Sequence, residues 1–196
     1  SLGVIAPELI RDLSLSAQML GIAGGMFFLA LGVVQVPVGM SFDRIGPRRT
    51  LVAISGITLA GTMVMATADS ARDLIVGRFL MGLGSGASFI SAVVLLMRWY
   101  PSDRVGTMYG RVFAASQLGT LLASTPLAWA TAQFGWRAVF GASGVVLVGV
   151  VALFHVLVRD RPPDQPAPPV QRESLAHTLA GYREVLRQPG YRRVIA

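Results

Sequence analysis

The sequence predicts an all-α integral membrane protein, and its composition and apolar runs support that class. Hydrophobic residues make up 53% of the 196 residues, whereas only 14% are charged. Soluble domains carry about a quarter charged residues. Several apolar runs approach or exceed the roughly 20 residues that a helix needs to cross the hydrocarbon core of a bilayer. The chain is therefore expected to cross the membrane several times.

Six helices are predicted in order along the chain, the first of them partial. Residues 1–6 have the apolar character of a helix end, and we expect Pro7 to stop that helix because proline interrupts helical hydrogen bonding. Polar turns separate the later runs, and the clearest is RWYPSDR at 98–104, where proline breaks the helix. The predicted spans are residues 1–6, 17–40, 50–68, 74–97, 105–130 and 138–158, so that 1–158 forms one membrane bundle.

The segment after the sixth span is polar and is predicted to lie outside the bilayer. Residues 159–173 include RPPDQPAPP, a proline-rich stretch typical of a linker. Within 174–190 the apolar side chains recur every three or four positions, which predicts an amphipathic helix on the inner membrane surface. Residues 191–196 read as the start of a seventh helix.

The charges of the connecting loops predict the orientation of the bundle. Loops that follow odd-numbered helices carry a net charge of −1, and loops that follow even-numbered helices carry +4. Cytoplasmic loops of membrane proteins are enriched in arginine and lysine. We therefore expect the loop at residues 41–49 and the tail after residue 158 to be cytoplasmic, in a multi-pass protein of the bacterial inner membrane.

The loop between the second and third spans, GMSFDRIGPRRT at 39–50, contains more than an anchor requires. Arginines alone would fix the loop at the inner surface. An embedded acid can in addition accept hydrogen bonds from arginines or a helix N-terminus, and glycines allow close helix approach and a tight turn. We therefore favour a conformational latch over a simple anchor. The predicted latch residues are Gly39, Asp43, Arg44, Gly46, Arg48 and Arg49.

A weak internal repeat relates this loop to the one before the sixth span. Pro37, Gly46 and Arg48 recur 89 positions later as Pro126, Gly135 and Arg137. Three matched positions could arise by chance. The two copies are nevertheless predicted at opposite ends of the bundle, as an inverted repeat of three plus three helices requires.

Arg78 is the one charge well inside an apolar span, about five residues past the start of the fourth helix. An arginine near the membrane centre costs about 3 kcal/mol and usually faces the protein interior or a partner. The alternative is that Arg78 extends to the outer interface, which its depth of roughly 7 to 8 Å permits. We favour a role in substrate binding or in coupling.

Polar residues in other spans are weaker candidates for the same role. Gln35 and Gln117 lie in the second and fifth spans, where amides bond neighbouring helices or line a wet cavity. Gly82 begins GLGSGASF, which we interpret chiefly as a close-packed helix face. Trp99, Tyr100 and Trp136 fall at predicted interfaces and are interpreted as membrane-interface anchors.

The motifs together resemble those of the major facilitator superfamily. Gly39-x-x-x-Asp43-Arg44-x-Gly46-x-Arg48-Arg49 is similar to its signature loop, and Arg78-x-x-x-Gly82-x-Gly84 is similar to its helix-4 motif. FGWR before the sixth span, and QPGY after the linker, also resemble members of the family. The resemblance implies a secondary transporter of twelve helices, of which this chain is the N-terminal six-helix half. It also implies that the signature loop latches the two halves together and that helices 1, 2, 4 and 5 surround the substrate path.

The expected function is alternating-access transport of a small polar solute, coupled to a proton or ion gradient. Thr125 precedes Pro126 where drug exporters of the family carry glycine, which argues against drug export, and an organic anion is our guess for the solute. The expected partners are the solute, the ion gradient, the lipid bilayer and the chain's own C-terminal half, and no nucleic acid.

The alternatives to a transporter are a membrane sensor or assembly scaffold with the same fold, or a six-helix half that dimerises. The sequence has no cysteine, no histidine–acid pair and no cluster with metal-ligand spacing. We therefore expect no enzyme activity, no cofactor and no metal.

Overall fold

A computed structural model describes residues 2–160, and within that range the chain is helical with no strand. Most of the predicted linker, the amphipathic helix and the start of the seventh helix lie outside the described residues. The all-α membrane fold is confirmed. The helices are α1 Leu2–Leu13, α2 Ala17–Val33, α3 Gln35–Ile45, α4 Pro47–Ala66, α5 Ala71–Trp99 and α6 Ser102–Leu157.

Three of these helices, α4, α5 and α6, are individually long and apolar enough to cross a membrane. A fourth candidate is the pair formed by α1 and α2, which meet at an angle of 120°. Only Val34 separates α2 from α3, and its φ of −75° and ψ of −13° are helical, so the chain is nearly continuous helix from residue 17 to 45.

The helix α6 is 56 residues long, which at 1.5 Å per residue would reach about 84 Å. The hydrocarbon core is only about 30 Å thick, so a single straight span is excluded. The backbone turns at Gly135, whose φ of 76° and ψ of 156° are not helical. We therefore treat residues 102–134 as α6a and residues 136–157 as α6b.

The prediction that Pro7 ends the first helix is wrong, because α1 continues through Pro7 to Leu13. An interior proline costs about 3 kcal/mol. Ile5 and Leu9, on either side of it, are both buried in a core cluster that includes Trp136. Burying a large apolar side chain contributes about 1.5–3 kcal/mol, so this packing offsets the cost of the proline.

Glycines bring α5 into backbone contact with its neighbours, as the packing interpretation of GLGSGASF predicts. A methyl group on Gly82 would meet the carbonyl oxygen of Phe27 in α2, and one on Gly84 would meet the backbone nitrogen of Thr58 in α4. A methyl on Gly61 would lie 2.8 Å from the carbonyl oxygen of Gly77. The helix α5 therefore packs closely between α2 and α4.

The helices α4 and α6b form an antiparallel pair. Arg48 at the start of α4 lies beside His155, Met63 lies beside Gly144, and Ala68, just after α4, lies beside Arg137. The helix α6a packs much less, and every residue from 111 to 126 is exposed.

Candidate functional site

Arg78 lies in the second turn of α5 and lines a cavity of about 140 Å³. The other lining side chains come from four helical segments and include no acidic residue; they are Ile5, Met81, Leu127, Trp136, Val139, Phe140 and Ser143. The Nε atom of Arg78 is buried and has no hydrogen-bond partner among the described residues. A cation in an apolar cavity without an acid attracts an anion.

The size of this cavity limits what it can hold. Pockets for whole small molecules measure about 300–1,000 Å³, so 140 Å³ suits only a small anion or one charged group of a larger solute. A groove of about 310 Å³ between α4 and α6b is larger, but its lining is apolar apart from Ser55 and His155. The Arg78 cavity therefore has the better chemistry for recognising charge.

Trp136 forms part of the cavity wall and is held by charged neighbours. It is only 2% exposed, and its Nε1 donates a hydrogen bond to Oδ2 of Asp12 over 3.0 Å. The guanidinium carbon of Arg137 lies 4.3 Å from the centre of the indole ring. Arg137 in turn donates to the carbonyl oxygen of Ala68 over 2.7 Å and to Oδ1 of Asp69 over 3.2 Å. Below, Asp12, Asp69, Trp136 and Arg137 are called the Trp136 cluster.

The turn at Gly46, at the other end of α4, is held in a related way. Asp160 accepts a hydrogen bond from the backbone N–H of Arg48, with 2.8 Å between N and Oδ1. The Arg48 guanidinium also donates to the carbonyl oxygen of His155. Arg48 is therefore bonded to residues at and just beyond the end of α6b.

The two ends of the α4–α6b pair match the internal repeat. Gly46 and Gly135 have nearly the same backbone conformation, with φ of 85° and 76° and ψ of 158° and 156°. In each copy of the repeat, the arginine lies two residues after the glycine. It bonds the end of the partner helix in the α4–α6b pair. Arg48 bonds the end of α6b, and Arg137 bonds the residues after α4. Matched conformation and reciprocal contacts make a chance origin of the repeat a poor explanation.

The remaining residues of the signature loop are less engaged. Asp43 and Arg49 are exposed, and the described part of the chain offers neither of them a hydrogen bond or ion pair. Arg44 is exposed but does have an interaction. A methyl group on Gly39 would meet nothing within 4 Å. The close helix approach that we expected at Gly39 is therefore not made within the described residues.

The weaker candidates do not join Arg78 at its cavity. Gln117 is exposed on α6a, and Gly82 contacts the backbone of α2. Gln35 is half-buried, and its Oε1 is buried with no partner in the part of the chain that the structure describes. None of the three lines the 140 Å³ cavity.

Sequence reasoning missed Trp136, Asp12, Asp69 and Asp160. Interpreting Trp136 as an interface anchor was wrong, because its ring is buried in the protein core. Its position between Gly135 and Arg137, in the second copy of the repeat, was the signal that could have identified it. The acids carried no such signal, because each is distant in sequence from the group that it bonds.

Comparison with known proteins identifies the family. The model of the Major Facilitator Superfamily matches residues 1–195. A probable sulfoacetate transporter of Cupriavidus necator is 27% identical over 162 residues, which cover 83% of this chain and 38% of that protein. A gallate transporter of Pseudomonas putida is 30% identical over 160 residues, or 80% of this chain and 35% of the relative. A nitrate/nitrite transporter of Picosynechococcus is 28% identical over 187 residues, with 81% and 35% covered.

The chain spans less than half the length of each of these relatives. The family match nevertheless covers nearly every residue, including the signature loop, Arg78 and the Trp136 cluster. The chain belongs to the Major Facilitator Superfamily.

Proposed function

We propose that this chain is the N-terminal half of a secondary transporter that moves a small anion across the membrane. The observation that carries the proposal is the Arg78 side chain, whose buried Nε lacks a partner among the described residues and which lines a cavity that residues 2–160 leave free of acidic side chains. Arginine in a membrane helix costs about 2.5–3.5 kcal/mol near the bilayer centre. Anion binding would offset that cost and explain why the position is not apolar.

The names of similar proteins support an anionic solute. They include transporters for sulfoacetate, gallate and nitrate or nitrite, and putative transporters for tartrate. All of these solutes carry negative charge at neutral pH. A planar guanidinium can bind a carboxylate or nitrate through two parallel hydrogen bonds. The small cavity would hold one such group, with the rest of the solute contacting other parts of the complete transporter.

The proposed mechanism is alternating access driven by a proton or ion gradient. The six-helix bundle would rock against a second half, with Arg78 near the solute. Asp43 and Arg49 are exposed and unbonded in the described residues, so they are available to contact the second half in one conformation. Arg48 would instead hold the loop to the end of α6b and to Asp160 just beyond it. The arginine excess supports a cytoplasmic position for this loop.

Gradient-driven uptake into proteoliposomes containing the full-length protein tests the proposal. The panel would hold sulfoacetate, gallate, tartrate, nitrate, a neutral sugar and a cationic dye. Arg78→Ala should reduce anion uptake at least tenfold, and Arg78→Lys should retain part of it. Arg72→Ala is the matched control because Arg72 is an exposed arginine on the same helix, and it should transport normally.

Three outcomes would overturn the proposal. Transport of the dye or the sugar without any anion would contradict the substrate class, and normal uptake by Arg78→Ala would contradict the role of Arg78. Stabilisation of the protein by an anion that it never moves would favour a sensor with a transporter fold over a transporter.

A further inference from the structure

We propose that Trp136 is a selectivity wall of the Arg78 cavity, and that Asp12 and Arg137 are positioning residues that hold its indole ring. This inference rests on the proposed function and adds to it the residues that set which anions fit. The sequence predicted a membrane-interface role for Trp136 and no site role for Asp12 or Arg137.

The first step is the position of the indole ring. Trp136 is the largest fully buried side chain of the described chain, and it lines the same small cavity as Arg78. The indole is the largest of the eight side chains that line this 140 Å³ cavity. Any change in its size or orientation must therefore change the space beside the guanidinium.

The second step is that the ring is held from several directions. Its Nε1–H donates to Asp12 of α1, the Arg137 guanidinium lies over the ring, and Phe140 packs edge-on with ring centres 6.3 Å apart. A cation–aromatic contact contributes about 0.5–2 kcal/mol, depending on how far it is desolvated. A buried indole N–H left without an acceptor costs about 1–3 kcal/mol. The ring therefore has one strongly preferred orientation.

The third step is how Arg137 is itself anchored. It donates to the carbonyl oxygen of Ala68 and to the carboxylate of Asp69, and its Nη1 lies 4.0 Å from Oδ2 of Asp12. The guanidinium therefore connects the chain after α4, the end region of α1 and the indole on α6b. A movement of α1 relative to α6b would shift the ring and change the cavity.

The consequence is discrimination between anions by size. Differences of a single methylene group in an apolar pocket change specificity by roughly 10–200-fold. The cavity holds one charged group, so the smaller phenyl ring should leave more room for the part of a larger solute that adjoins this group, and should favour the larger anion of a pair. We expect Trp136→Phe to change the ratio of kcat/KM for gallate to that for nitrate by at least tenfold, with the larger anion gaining.

The positioning roles are tested by two substitutions at Asp12. Asp12→Ala removes the acceptor for the indole N–H and should shift the gallate-to-nitrate ratio in the same direction as Trp136→Phe. Asp12→Asn retains an amide oxygen that can accept the bond, so it should restore selectivity close to that of the wild type. A purely electrostatic role for Asp12 predicts instead that Asn and Ala are equally defective.

Fluorescence supplies a readout that does not depend on transport. In a full-length variant with Trp136 as its one tryptophan, saturating nitrate should alter the emission of the indole, and Arg78→Ala should abolish that change. Asp12→Ala should shift the emission of the anion-free protein to longer wavelength, because a released indole reaches more polar surroundings.

The outcomes separate this inference from the proposed function. If anion uptake depends on Arg78 but neither Trp136→Phe nor Asp12→Ala changes the ratio, the selectivity wall is refuted and anion transport stands. If uptake is independent of Arg78, the proposed function fails first. If Trp136→Phe does not fold, the inference is tested by Asp12→Ala alone. An unchanged gallate-to-nitrate ratio in Asp12→Ala refutes the positioning role, and a shifted ratio supports it.

Discussion

Asp160, three residues after α6b, caps the first turn of α4 by accepting a hydrogen bond from the backbone N–H of Arg48 over 2.8 Å. The residue in the N-cap position itself is Gly46, which has no side chain to do so. The carboxylate also lies against Gly46, where an added methyl group would meet Asp160 Oδ2 at 2.9 Å. Asp160 therefore joins the start of α4 to the segment that follows α6b.

Removing this cap should destabilise the bundle. Loss of an N-cap side chain costs about 0.5–2 kcal/mol, so we expect Asp160→Ala to lower the unfolding midpoint of the detergent-solubilised full-length protein by a few degrees. Asp160→Asn keeps an acceptor oxygen and should lower it less. Equal midpoints for Asp160→Ala and the wild type would show that the cap contributes nothing.

Alanine at the two repeat glycines should be unequally tolerated. Gly46 and Gly135 both occupy a region of φ and ψ that is essentially restricted to glycine, and a side chain there costs about 1–3 kcal/mol. Among residues 2–160 a methyl at Gly135 meets nothing within 4 Å, whereas one at Gly46 also crowds Asp160. Both variants should have lower unfolding midpoints, with Gly46→Ala the lower. The reverse order would contradict the Asp160 contact.

Gly82→Ala should be more destabilising than Gly39→Ala. The added methyl at Gly82 would overlap the carbonyl oxygen of Phe27, and overpacking of this kind costs about 1–3 kcal/mol. The methyl at Gly39 enters open space within the described residues. Comparing unfolding midpoints of the two variants in the full-length protein checks the prediction. A larger loss for Gly39→Ala would indicate that the rest of the protein packs tightly against that position.

Asp43→Asn should impair transport without weakening the six-helix bundle. Asp43 is exposed and makes no bond within the described residues, so a local stabilising role has no support there. If Asp43 latches the loop against a second half of the transporter, Asp43→Asn should slow anion uptake at least tenfold. Its unfolding midpoint should stay within about one degree of that of the wild type. Wild-type uptake by Asp43→Asn would remove this residue from the latch.

The helices could be predicted from the sequence better than the contacts between them. Apolar runs predicted an all-α membrane bundle and Gly46 predicted a tight turn, because those signals are local, whereas Gly135 was singled out only as a position of the internal repeat. Pro7 predicted a helix end that does not form, because the burial of Ile5 and Leu9 outweighs the helix-breaking tendency of proline.

The sequence could predict the central residue of the candidate site but not the cavity around it. Arg78 was identifiable because an isolated charge in an apolar span is costly wherever the helix packs. Its cavity could not be predicted, since Trp136 lies 58 positions further along the chain and reaches it only through the turn at Gly135. The bond between Asp12 and Trp136 joins residues 124 positions apart, so no local pattern could show it.

The most direct test of the account is whether Arg78 binds the anion itself. Titration calorimetry of the purified full-length protein with the anion that it transports best should show binding that weakens at least 30-fold in Arg78→Ala, or about 2 kcal/mol. Arg72→Ala should bind like the wild type. Unchanged anion affinity in Arg78→Ala would contradict the central claim, because the cavity would then recognise its ligand without the guanidinium.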